Sequence, residues 1–147
     1  MTTPLNSHLS QQSLVGLRLR HHADYQAAYA AARKRQSASM SWFLAVKPLA
    51  DSAASVSPRV GLTAGKVLGK AHERNRIKRR MREVLRRHID ILPTGADLIF
   101  HPRRAVLSME FTKLEAEIVR ILTQATAEIK RAAQQSQPRA PLSRPAL

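Results

Sequence analysis

The most constraining feature of the sequence is the segment RNRIKRRMREVLRR at residues 74–87. Its apolar members Ile77, Met81, Val84 and Leu85 recur at helical spacing, which predicts a helix that packs one narrow face on a core. Eight of its fourteen residues are Lys or Arg and only one is acidic. Like charges four residues apart on a helix cost roughly 0.2–0.5 kcal/mol per pair. A polyanion against the outer faces would turn this repulsion into attraction.

The whole chain shows the same charge imbalance. It carries 25 Lys and Arg against 10 Asp and Glu, a net charge of +15, while its apolar content of 44% is ordinary for a globular protein. This balance is typical of nucleic-acid binding and less often of binding to an anionic membrane. No apolar run approaches the roughly 20 residues that span a bilayer, and the N-terminus lacks the features of a signal peptide. Without cysteine, disulfides and thiolate chemistry are excluded, and the features together predict a cytoplasmic protein that binds no membrane.

Composition divides the chain into one domain and two tails. Residues 1–16 are polar, and residues 132–147 carry prolines without apolar periodicity, so both are predicted to be flexible tails. The domain is predicted over residues 17–131, a length that allows one core.

Local patterns in the domain predict the element order αββαβα. The elements are a helix at 24–35, strands at 41–46 and 59–64, the basic helix, a strand at about 96–101, and a final helix from about Phe111. This order predicts an α+β fold, a small α/β sandwich with one small sheet.

Glycine recurs in the segment that precedes the basic helix. Gly61, Gly65 and Gly69 recur every four residues, and Lys66 and Lys70 follow the last two. Glycine permits both tight turns and close approach of the backbone to a phosphate, and the sequence leaves these alternatives open.

The start of the basic helix has the character of a binding site. Two cations, Arg74 and Arg76, flank Asn75 at the positive end of a helix dipole, which is unfavourable by itself. Guanidinium groups pair with phosphates in bidentate fashion, so a phosphate ligand would account for them.

The sequence resembles the protein subunit of bacterial ribonuclease P. ERNRIKRRMREVLR at 73–86 is similar to the basic motif helix of that family, and RVGLTAGKVLGKAHERNR to its lead-in. ADYQAAY, SWFLAV and LPTGADLIFHPRR, followed by the last helix, occur in the family's order, so the resemblance spans most of 17–125. The ordered set is more specific than the basic motif alone.

The resemblance implies a mixed sheet with a left-handed βαβ crossover. It also implies a monomeric protein without a bound cofactor or metal, which joins one molecule of the catalytic RNA of ribonuclease P. In the holoenzyme the RNA, with Mg²⁺, cuts the leader from precursor tRNA. The protein positions the substrate and lowers the magnesium requirement.

The resemblance further implies two sets of site residues. The RNA-binding set is Lys66, Lys70, Arg74, Asn75, Arg76, Lys78, Arg79, Arg80 and Arg82. The leader-binding set is Tyr25, Tyr29, Arg33 and Phe43, with Arg33 one turn beyond the tyrosines on the same helix. From the residues alone, core packing of the two tyrosines is favoured, whereas the resemblance favours stacking on leader bases. We expect that Arg76 and Arg80 are needed for RNA binding and not for folding.

The chain departs from the family in places, most clearly before the basic helix, and two rival functions remain. Gly65-Lys66-Val67 stands where the family commonly has Ser-Lys-Lys, which alters the expected leader and metal contacts. Catalysis by the protein itself is not indicated, because its histidines and aspartates form no metal-ligating pattern. The first alternative is a ribosomal or other structural RNA-binding protein without a role in cleavage. The second is a DNA-binding architectural protein, for which the sequence shows neither a dimerisation surface nor a wedge for the minor groove.

Overall fold

The structure, a computed structural model, describes residues 17–19, 21–46 and 58–136. Within them the helices are α1 (His22–Ala31), α2 (Ala71–Arg87) and α3 (Phe111–Ser136). The strands are β1 (Arg33–Gln36), β2 (Met40–Val46), β3 (Arg59–Leu62) and β4 (Ala96–Pro102). Short 3-10 turns are found at Lys66–Leu68, Ile89–Ile91 and Arg104–Leu107.

The strands form one mixed sheet in the order β1-β2-β4-β3. β2 is antiparallel to both β1 and β4, with Trp42 opposite Phe100, whereas β3 and β4 are parallel, with Val60 opposite Leu98. Parallel neighbours need a crossover connection, and α2 lies within it. The predicted α+β class and mixed sheet are confirmed, and the left hand of the crossover stays a prediction.

Helices cover both faces of the sheet. On one face α2 and α3 pack on Trp42, Leu98 and Phe100 in the main core. On the other face α1 covers a smaller cluster that includes Ala45 and Ile99. Successive side chains of a strand point to opposite faces, so β2 and β4 supply residues to both layers. The apolar stripe predicted for α2 is confirmed, because Ile77, Met81, Val84 and Leu85 are at most 1% exposed.

The predicted order αββαβα misses one strand. The first helix, predicted over 24–35, ends at Ala31, and β1 follows it. The helix was predicted to extend through these residues because cations are favourable at the C-terminal end of a helix dipole. Here the pairing of β1 with β2, and the ion pair between Arg35 and Glu128 (2.8 Å), place these cations in a hairpin. Tertiary contacts therefore override the local helix preference.

The end of the predicted domain at residue 131 falls within α3, which continues to Ser136. The end of the domain was predicted from the end of the apolar pattern. The helix continues beyond that pattern because alanine and glutamine favour helix. The predicted tail at 1–16 and the part of the other tail after 136 lie outside the described residues.

A buried carboxylate joins the β1–β2 hairpin to α3. Glu117 is 4% exposed. It accepts hydrogen bonds from the backbone N–H of Ser39 (2.9 Å) and from the hydroxyls of Ser39 (2.7 Å) and Ser37 (2.6 Å). Burial by itself would raise the pKa of Glu117, but the bonds from the two serines outweigh burial and the pKa is lowered. The hairpin is thus held by a buried, charged carboxylate that three hydrogen bonds stabilise.

We expect Glu117→Gln to reduce the free energy of unfolding at pH 7 by about 1–3 kcal/mol, because the amide cannot accept all of these bonds. A lowered pKa in the folded state contributes stability above the ordinary value of 4.5, and this contribution is lost as the pH falls through the folded value. The deficit of the variant should therefore shrink in acid. Urea unfolding at pH 7 and near pH 3 measures it, with the exposed Glu110→Gln as control. Equal deficits in the two variants would contradict the assigned role.

Candidate nucleic-acid interface

The start of α2 shows how the fold tolerates cations at a helix N-terminus. The carboxylate of Glu73 accepts a hydrogen bond from the backbone N–H of Lys70 (2.9 Å) and pairs with Arg104 (2.8 Å). The bond from Arg104, and then that from Lys70, lower the pKa of Glu73 to about 2. This anion complements the helix dipole. Arg74 donates to the carbonyl of Gly69 (3.2 Å) and is therefore partly committed to the preceding turn.

The three glycines before α2 lie in different structural environments. Gly69 has a φ of 130°, so the turn into the helix favours glycine. A Cβ atom on Gly61 would lie 2.8 Å from the ring of Tyr25, so this glycine permits close packing of the ring. Gly65, in contrast, has open space around it and precedes the exposed Lys66. A turn and ring packing account for Gly69 and Gly61, which leaves phosphate approach as an alternative at Gly65.

The basic residues of α2 separate into two sides, of which the first contacts the entry to α3. Arg76 donates to a backbone carbonyl of the 3-10 turn after β4 (3.3 Å), and Arg80 donates to the carbonyl of Met109. The guanidinium carbons of Arg80 and Arg87 lie 6.0 and 4.8 Å from the ring centroid of Phe111, within cation–π range. These arginines have a role in the fold, contrary to the expectation for Arg76 and Arg80.

We expect Arg80→Ala to reduce the free energy of unfolding by about 1–2 kcal/mol, since a carbonyl loses its donor and an aromatic face loses its cation. Thermal unfolding measures this loss. Arg79→Ala is the matched control, because Arg79 is the adjacent residue, is exposed and makes no such contact. Equal melting temperatures for the two variants would contradict a structural role for Arg80.

The second side of α2 carries cations without an anionic partner among the described residues. It consists of Asn75, Lys78, Arg79 and Arg82, which recur at helical spacing, and we call it the free basic side. Burial, and then the nearby cation of Arg18, lower the pKa of Arg82. Arg18 and Arg82 line one cleft, and a phosphate bound there would reduce the repulsion between these two cations.

Aromatic side chains gather where α1 lies on the sheet. The ring centroids of Tyr25 and Tyr29 are 6.3 Å apart, and Tyr29 meets Phe43 edge to face at 5.1 Å. His101 of β4 lies 4.9 Å from Phe43. All four rings are half-buried, so they pack on the sheet and keep part of their surface accessible. We call Tyr25, Tyr29, Phe43 and His101 the aromatic cluster.

Hydrogen bonds orient Tyr25, Tyr29 and His101, and burial favours the neutral forms of Tyr29 and His101. The hydroxyl of Tyr25 accepts a bond from the backbone N–H of Leu62 (3.3 Å), and the hydroxyl of Tyr29 shares one with Nε2 of His101 (2.6 Å). Burial, and then the cation of Lys34, lower the pKa of His101. Burial, and then Tyr25, raise the pKa of Tyr29. At neutral pH the cluster presents neutral rings of the kind that stack on bases.

The structure brings together three of the four residues predicted to bind the leader. Tyr25, Tyr29 and Phe43 belong to the aromatic cluster, but Arg33 does not. Arg33 lies on β1 opposite Leu44, on the face of the main core, while Lys34 lies opposite Phe43 on the face of the cluster. Arg33 was misplaced because the first helix ends before it.

His101 is a residue of this surface that the sequence analysis missed. It is two positions from the buried Ile99 on β4, and this alternation places it on the face of α1. The alternation of side chains along the strand could have placed His101 on this face. No sequence motif around the histidine indicated a function, however.

The aromatic cluster and the free basic side meet at the β3 edge of the sheet. Arg18, Tyr25 and Arg82 line one cleft there, together with Val60 and Leu62. β3 is the last named strand on this side of the sheet, and the isolated bridge between Arg18 and Val60 places Arg18 along its outer edge.

Two of the described aspartates are bound to an arginine. Asp24 and Asp97 both pair with Arg59, at 3.6 and 3.0 Å. Among the residues that the structure describes, no group of three or more histidine or acidic side chains is placed to hold a metal ion. In the same part of the chain no helix is long and apolar enough to cross a membrane.

The mixed sheet between helices, the basic helix and the aromatic cluster define a small basic RNA-binding protein of the α+β class. The family model of ribonuclease P matches residues 16–126. The ribonuclease P protein component of Chloroflexus aggregans is 46% identical over 68 residues, which are 46% of this chain and 50% of that protein. That of a Synechococcus species is 32% identical over 109 residues, 74% of this chain and 80% of that protein. The chain belongs to the ribonuclease P protein family and is a protein subunit of the enzyme that processes the 5′ ends of tRNA.

Solved structures agree with this at the level of the fold. The ribonuclease P protein of Staphylococcus aureus has a TM-score of 0.62 at 23% identity and covers 74% of this chain and 94% of its own. That of Thermotoga maritima has a TM-score of 0.62 at 22% identity and covers 73% of this chain and 96% of its own.

Proposed function

We propose that the free basic side of α2 binds phosphates of the catalytic RNA of ribonuclease P, and that the aromatic cluster holds the single-stranded leader of precursor tRNA. The observation that carries this proposal is the cleft at the β3 edge, where Arg18, Tyr25 and Arg82 lie together. Rings accept bases and guanidinium groups accept phosphates. Their meeting point suits a strand that passes from one surface to the other.

The predicted RNA-binding residues differ in how far contacts within the protein leave them available to RNA. Asn75, Lys78, Arg79 and Arg82 form the main contact, because no described anion competes for them. Lys66, Lys70 and Arg74 extend this surface at the start of the helix. Arg76 and Arg80 hold α2 against the entry to α3 and contact RNA only with what remains of their guanidinium groups.

The leader-binding set also changes in composition. It keeps Tyr25, Tyr29 and Phe43, gains Lys34 and His101, and loses Arg33. Lys34 supplies a cation beside neutral rings, which suits a chain of bases joined by phosphates.

In this proposal the RNA performs the cleavage with Mg²⁺, and one protein accompanies each RNA in the cytoplasm. The protein supplies positive charge and placement. Its cations reduce the repulsion between two polyanions, which lowers the concentration of Mg²⁺ that the reaction needs.

The test is cleavage of precursor tRNA by a bacterial ribonuclease P RNA at low Mg²⁺, with and without the protein. We expect strong stimulation by the protein and no cleavage by the protein alone. Tight and salt-sensitive RNA binding without stimulation would overturn the proposal in favour of a structural RNA-binding protein such as a ribosomal one.

A further inference from the structure

A second basic groove lies at the opposite edge of the sheet from the β3 cleft. It runs between β1 and the C-terminal half of α3, has a volume of about 430 Å³, and is lined in part by Leu44 and Val46. Its charged lining consists of Arg33, Arg35 and Arg131 with one acid, Glu128. We call it the β1 groove. Neither the free basic side nor the aromatic cluster contributes to it.

The charges of the β1 groove leave a surplus of donors. Glu128 is committed to Arg35 (2.8 Å) and accepts a further bond from Gln124 (3.2 Å). Arg33 and Arg131 are exposed, and neither has an ion pair among the described residues. Nε of Arg35 is buried without a hydrogen-bond partner in the same part of the chain. Two unpaired guanidinium groups and one unsatisfied donor favour an anionic ligand with several acceptor oxygens.

Protection of the sheet edge explains only part of this arrangement. Charged side chains on an edge strand prevent pairing with other chains, and this accounts for cations on β1. It does not account for Arg131, which lies on α3. Nor does it account for Arg35, which an ion pair holds toward α3.

We propose that the β1 groove is a second binding site for the phosphodiester backbone of RNA. This inference rests on the proposed function, because it takes RNA as the partner. Strand β1 connects the two surfaces, since Lys34 lies on the face of the aromatic cluster while Arg33 and Arg35 lie on the face of the groove. The phosphates belong either to the catalytic RNA or to a leader that continues past the cluster over the β1 edge.

The experiment compares Arg33→Ala/Arg131→Ala with Lys113→Ala/Lys130→Ala, which removes two exposed cations of α3 that do not line the groove. Binding of the catalytic RNA is measured over a range of salt concentrations. We expect the groove variant to reduce the slope of log K against log salt by about 1.4–1.8, and the control to leave it unchanged. The variant Arg33→Lys/Arg131→Lys retains the charge and should keep most of the slope.

A second arm adds precursor tRNA with short and long leaders to the preformed holoenzyme. A reduced slope with the catalytic RNA assigns the phosphates to that RNA, and a loss seen only with long leaders assigns them to the leader. No change in either arm, or an equal change in the control, overturns the second site. Arg79→Ala/Arg82→Ala then distinguishes the two failures, because weakened RNA binding by that variant leaves the proposed function standing.

Discussion

Replacing Arg79 and Arg82 together by alanine should weaken binding of the catalytic RNA by roughly a hundredfold at moderate salt and leave the melting temperature unchanged. A hydrogen bond to a charged group contributes about 1.5 kcal/mol or more, which is roughly tenfold in affinity for each residue. Both residues are exposed, and neither has an anionic partner among the described residues, so the fold loses no described ion pair with them. Their removal even relieves repulsion along α2.

Two comparisons make this result specific. Lys113→Ala/Lys130→Ala removes the same charge from α3 and should change affinity little. Arg76→Ala/Arg80→Ala removes the same charge from α2 but should lower the melting temperature, because both arginines hold backbone carbonyls. Unchanged affinity of the Arg79 and Arg82 variant, or a melting temperature as low as that of the Arg76 and Arg80 variant, would contradict the division of α2 into two sides.

That division shows the limit of prediction from sequence. The apolar stripe and the basic faces of α2 follow from local spacing alone, and both are present in the structure. The different roles of Arg79 and Arg80 do not follow, because they are adjacent residues of one type. Arg80 differs from Arg79 because it contacts the Met109 carbonyl and the Phe111 ring. Met109 lies 29 residues after Arg80 in the sequence, so local spacing does not reveal this contact.

The β1 hairpin shows a similar limit with a larger consequence. A strand of four residues that follows an alanine-rich helix has too little pattern to be recognised, and Glu128, the ion-pair partner of Arg35, is distant in sequence. Because this strand was not predicted, Arg33 was assigned to the first helix instead of to β1. Because side chains of a strand alternate, a shift of one position exchanges faces, and Lys34 takes the place beside the aromatic cluster.

The leader-binding role of Tyr25, Tyr29 and Phe43 was predicted only from the family resemblance, since the residues alone favour core packing of the two tyrosines. The rings are half-buried, with Tyr25 packed against Gly61 and Tyr29 against Phe43. Packing fixes one part of each ring, and the rest is accessible to a base.

Tyr25→Ala should lower kcat/KM for precursor tRNA with a leader by roughly 5- to 150-fold, because stacking on one aromatic ring contributes about 1–3 kcal/mol per base. Binding of mature tRNA, which has no leader, should change little. The measurement is single-turnover cleavage of precursor tRNA by the holoenzyme, with mature tRNA as a competitor.

Tyr25→Phe separates stacking from the role of Tyr25 in the fold. It keeps the ring and removes only the hydroxyl that accepts the 3.3 Å bond from Leu62, so cleavage should stay within about threefold of the original. A loss with Tyr25→Phe as large as that with Tyr25→Ala would assign the effect to the hydrogen bond at β3. Equal losses for precursor and mature tRNA would contradict leader contact altogether. A leader-specific loss that requires removal of the ring is the result that only stacking explains, because a weakened fold would impair both RNAs alike.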